Sequence, residues 1–87
     1  MDKKVIFAAF SGEKVVSKRE TDMYGYYDGD NPEIDDVEYI KANRITAVEI
    51  HIFDNGNHVL HKNYYDENGA PYRFETTENG VTAVEDV

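Results

Sequence analysis

The stretch ITAVEIHIFDNGNHVLHKNYYDENGAPYRFETTENGVTAVE, residues 45 to 85, decides the fold, because three Asn-Gly pairs divide it into four short pieces. Asn-Gly tolerates the positive φ angles that tight hairpin turns need. The pieces are Ile45 to Phe53, His58 to Tyr65, Tyr72 to Thr77 and Val81 to Glu85, all rich in β-branched and aromatic residues. A four-stranded antiparallel β-meander is expected. In the first piece Val48, Ile50 and Ile52 alternate with Glu49 and His51, the period of a strand with one buried and one wet face.

The turn at Asn55-Gly56 sets the register. A two-residue turn pairs Glu49 with Lys62 and His51 with Leu60, leaving His61 on the opposite face beside Ile50. A three-residue turn shifts the pairing by one and gathers Glu49, His51 and His61 on one face, a two-histidine, one-carboxylate set that suits a transition metal. The favourable cross-strand charge pair Glu49–Lys62 selects the first register. Neither a metal site nor a cofactor is therefore expected.

Working outward, a Ser11-Gly12 turn joins Val5 to Phe10 with Lys14 to Arg19 in an N-terminal hairpin expected beside the meander. Between hairpin and meander, Asn31 reads as an N-cap and Pro32 as the first helical residue, where its missing N–H costs nothing. Glu33, Asp35 and Asp36 suit the positive end of the helix dipole, Lys41 and Arg44 the negative end. Ile34, Val37 and Ile40 recur at helical spacing. The competing assignment is a strand over Val37 to Lys41, whose residues also alternate. The expected fold is α+β in a single domain: a hairpin over 1–20, an acidic aromatic loop and short helix over 21–44, and the meander over 45–87. The helix is expected to cover the sheet's apolar face.

Eighty-seven residues support only one core, since a chain of this size buries roughly 60–65% of its unfolded surface. With no cysteine there is no disulfide framework, thiolate nucleophile or zinc-thiolate site. The apolar run Val5 to Phe10 is too short for a signal segment, and no window approaches the roughly 20 apolar residues of a membrane span. A cytoplasmic location is expected.

Eighteen acidic residues against nine basic ones make direct contact with nucleic acid or an anionic membrane unfavourable, and favour a partner with a basic surface. From Glu20 to Ile40 there are eight carboxylates and no Lys or Arg. A calcium loop does not fit: counted from Asp28, position six is Glu33 instead of the turning glycine, and position twelve is Tyr39 instead of a bidentate Glu. Only Ser11 and Ser17 could serve as serine nucleophiles, and neither a G-x-S-x-G elbow nor a phosphate-cradling glycine loop is present. The chain reads as a binder, not an enzyme.

On a helix rising about 1.5 Å per residue, Glu33, Asp35, Asp36 and Glu38 spread four carboxylates over about 7.5 Å. Duplex DNA carries about one charge per 1.7 Å of axis, a comparable density. Met23, Tyr24, Tyr26 and Tyr27 precede these acids, and tyrosine gives large contact area at low entropy cost. The expected partner-binding residues are thus Tyr24, Tyr26 and Tyr27 as anchors, with Asp28, Asp30, Glu33, Asp35, Asp36 and Glu38 as phosphate surrogates. The plainer reading of the same tract is a capped helix with a well-solvated acidic face.

In its size, lack of cysteine and strong acidity the chain resembles the inhibitors that phages and mobile elements direct at host nucleic-acid enzymes, such as anti-CRISPR and anti-restriction proteins. The likeness is of style, without a shared motif. It implies a viral, non-catalytic inhibitor acting as a DNA mimic that occludes a basic channel. The alternative is an immunity or accessory protein that binds a toxin or assembly partner through a sheet edge, and a third reading is a small metal-dependent enzyme using Glu49, His51 and His61.

Overall fold

The computed structural model describes residues 3–22 and 36–87. Among the described residues, six strands and one short helix follow one another as β1 (Lys3–Ser11), β2 (Lys14–Thr21), α1 (Val37–Ala42), β3 (Ala47–Asp54), β4 (Asn57–Tyr65), β5 (Pro71–Glu78) and β6 (Val81–Asp86). The strands form one antiparallel sheet in the order β2-β1-β3-β4-β5-β6. The hairpin β1–β2 thus lies beside the meander β3–β6, joined to it where β1 pairs with β3.

The turns explain this order. Asn55 and Gly56 both adopt positive φ, 52° and 85°, as do Asn79 and Gly80 at 54° and 77°. Both pairs therefore make two-residue turns whose twist matches that of the strands. Asn68-Gly69 works differently. The Asp66 carbonyl accepts from Gly69 N–H and its Oδ1 from Asn68 and Ala70 N–H, so Asp66 holds a five-residue loop in which only Gly69 is left-handed.

The two-residue turn at Asn55-Gly56 fixes Glu49 opposite Lys62, Ile50 opposite His61 and His51 opposite Leu60. Alternation then sorts the sheet into two faces. Val5, Phe7 and Ala9 of β1 and Val48 and Ile50 of β3 share one face, and Ile40, Ile45 and Tyr65 complete the core upon it. Complete burial of a side chain such as Phe7 or Val48 stabilises by about 1.5–3 kcal/mol. The guanidinium of Arg19 lies 4.1 Å from the Phe7 ring centroid, pairing the edge strand β2 with the core through a cation–π contact.

The helix begins later than its sequence suggests. Asp36 has an extended backbone (φ −101°, ψ 101°), and its Oδ1 accepts from Glu38 N–H at 3.0 Å and Tyr39 N–H at 3.3 Å. Asp36, and not Asn31, is therefore the N-cap of α1, because an extended residue at 36 separates Val37–Ala42 from any earlier turn. Asn31 and Pro32 themselves lie outside the described residues. The strand reading of Val37 to Lys41 fails because Ile40 N–H donates to the Asp36 carbonyl and Asn43 N–H to that of Tyr39, the spacing of an α-helix. The chain leaves α1 through Arg44, at φ 53°.

Candidate functional site

Of the residues expected to bind a partner, Tyr24, Tyr26, Tyr27, Asp28, Asp30, Glu33 and Asp35 lie outside the described residues. Asp36 and Glu38 are exposed on the first turn of α1, one as its cap and the other as its acidic first-turn residue. Asp36 thus has a structural task that its place in an acidic run conceals.

The fold adds acids to this pair from distant parts of the chain. Gly69, in the β4–β5 loop, lies so close beneath α1 that a Cβ there would meet Lys41 Cγ at 3.0 Å and Val37 Cγ1 at 3.2 Å. Its neighbours Asp66 and Glu67 are exposed at the same end of the sheet. The far end of β6 arrives there too, since Asp86 stands opposite Arg73 and Arg73 opposite Tyr64. Arg73 Nε donates to Asp86 Oδ1 at 2.9 Å, and this hydrogen bond, with the carboxylate's charge, pushes the guanidinium pKa further above its ordinary value. Asp36, Glu38, Asp66, Glu67, Glu85 and Asp86 are six carboxylates at one end, beside Lys41, Arg44 and Arg73. A cleft of about 420 Å³ between α1 and the loop is lined by Ile40, Lys41, Arg44, Tyr65, Asp66 and Glu67.

The sheet face opposite α1 carries a polar chain. His51 Nε2–H donates to Glu49 Oε1 at 3.0 Å, and Lys62 Nζ lies 3.8 Å from Glu49 Oε2. With Nε2 carrying the proton, His51 Nδ1 accepts from His58 Nε2–H at 3.0 Å. The His58 ring stacks on Phe53, centroids 4.4 Å apart and planes within 7°. His61 is on the other face, with Nδ1 at 3.1 Å from Thr76 Oγ1. The observed register therefore separates it from Glu49 and His51, and among the described residues no group of three or more His, Asp or Glu side chains is placed to hold a metal. His58 was legible once the register was chosen, because the same turn that pairs His51 with Leu60 pairs Phe53 with His58.

The two sheet edges differ. Strand β2 carries Lys14, Lys18 and Arg19, and a bulge at Val16, skipped where Ala9 pairs with Ser17 and Phe10 with Val15, breaks its register, both of which discourage strand addition. Every residue of β6 is exposed, with Val81 at 70% and Val84 at 54%, and the strand has neither lysine nor proline nor bulge. No protein-family model matches the chain, and neither a curated protein nor a solved structure is significantly similar to it.

Proposed function

We propose that the chain is a non-catalytic acidic binding protein that covers a basic, nucleic-acid-binding surface of a partner protein, in the manner of phage and mobile-element inhibitors such as anti-CRISPR or anti-restriction DNA mimics. The observation that carries this reading is the acidic end of the sheet, where α1, the β4–β5 loop and β6 bring together carboxylates that are far apart in sequence. The tract just before α1 supplies Asp28, Asp30, Glu33 and Asp35, and Tyr24, Tyr26 and Tyr27 supply aromatic anchors.

A Lys- and Arg-lined channel is drawn to such a surface by long-range attraction, and arginines can stack on tyrosine while pairing with neighbouring carboxylates. The partner is a nucleic-acid-processing enzyme and the setting the cytoplasm. An affinity capture from host lysate, with and without excess duplex DNA, tests this. Retention of a nucleic-acid enzyme that DNA displaces supports the reading. Unchanged affinity for that enzyme after Asp30, Asp35 and Asp36 are all replaced by Asn removes the tract from the binding site.

A further inference from the structure

The buried cluster draws on β1, β3, α1 and its following turn, and the last residue of β4, but on nothing from β5 or β6. All six residues of β6 are exposed, among the described residues nothing pairs with its outer edge, and it presents Val81, Val84 and, just beyond it, Val87 at 78% exposure. An unguarded strand of this kind is a template for another strand.

We propose that β6 pairs antiparallel with β6 of a second copy of this chain, about a two-fold axis at Val84, to join two sheets into one. Backbone geometry fixes which groups are available. In a two-residue hairpin the residues flanking the turn exchange backbone hydrogen bonds, so Val81, Ala83 and Glu85 direct their N–H and C=O groups at β5. The Val87 N–H, which donates to Tyr72 O at 3.1 Å, continues the same alternation. Thr82, Val84 and Asp86 then direct theirs outward.

A two-fold pairing that uses those outward groups places Val84 opposite the second copy's Val84, Thr82 opposite its Asp86, Ala83 opposite its Glu85 and Val81 opposite its Val87. Acid never stands directly opposite acid, valine meets valine three times, and about six backbone hydrogen bonds form. Asp86, the one charge of β6 on the face shared by Thr82 and Val84, is already held by Arg73. The inference is independent of the proposed basic partner.

Sedimentation equilibrium of the whole chain, from micromolar to millimolar concentration, measures the association. Val84→Pro is the informative variant. It removes only an outward N–H, so the β5–β6 hairpin survives while the edge is blocked, and the dimer dissociation constant should rise at least about tenfold. Val84→Lys should weaken pairing by placing like charges opposite each other, as should Val84→Glu, whereas an equimolar mixture of the two should restore a heterodimer. This rescue does not depend on the proline variant folding. A chain that stays monomeric throughout, a dimer untouched by both Val84→Pro and Val84→Lys, no recovery on mixing, or open-ended growth from β6 adding to β2 would overturn the proposal.

Discussion

At Asp36 one carboxylate oxygen receives two backbone N–H groups, and its charge is also counted in the acidic tract. Substitution can separate the two contributions. Asp36→Ala should cost about 1 kcal/mol of stability, read from urea unfolding, because the first turn of α1 loses its cap. Asp36→Asn retains the cap and should cost much less, so any loss of partner affinity it causes reports on the charge alone. The sequence carried the signal, an Asp just before Val37 and Ile40. Asn31-Pro32 offered a stronger one five residues earlier, and only the extended backbone at 36 decides between them. Phe7 is different in kind: 1% exposed and faced by Arg19, it should cost about 3–5 kcal/mol on replacement by Ala, enough to unfold much of a domain this small.

Among the elements, the meander was the most legible because its strands alternate and two of its three Asn-Gly turns have the dihedral angles that the dipeptide favours. Glu49 opposite Lys62 is the pairing that charge alone selected. The docking of α1 on the β4–β5 loop was not legible, since it depends on the close approach of Gly69 to Val37 and Lys41, residues about thirty positions away. Gly69→Ala tests that contact. It combines strain at φ 77° with a Cβ pressed against the helix, and should cost about 2 kcal/mol, while Gly56→Ala, at φ 85° in open space, carries only the backbone part, about 1 kcal/mol. Thermal unfolding of the two variants side by side measures the difference. The polar chain Glu49–His51–His58 was half legible: register put His58 beside Phe53, but its hydrogen bond to His51 depends on side-chain geometry.

For the whole molecule, the acidic end of the sheet arises from the topology. Sequence proximity explains Asp36 with Glu38 and Asp66 with Glu67, but only strand order and the placement of α1 bring these pairs toward Glu85 and Asp86. If a basic partner docks there, its affinity should fall steeply as ionic strength rises, because exposed charges more than about 8 Å apart are largely screened at physiological salt. Titration calorimetry between low and high salt would show it, and a flat response would point instead to backbone pairing at a sheet edge.

The core's confinement to one half of the sheet also implies a gradient of local opening. Amide protons of β1 and β3, beneath α1, should exchange with solvent only through global unfolding. Those of β5 facing β6 should exchange through a cheaper event in which the last hairpin alone detaches. In dilute solution the molecule would then behave as a firm block carrying a fraying ribbon. Protection of that ribbon that grows with protein concentration would be a kinetic trace of the same exposed strand finding its copy.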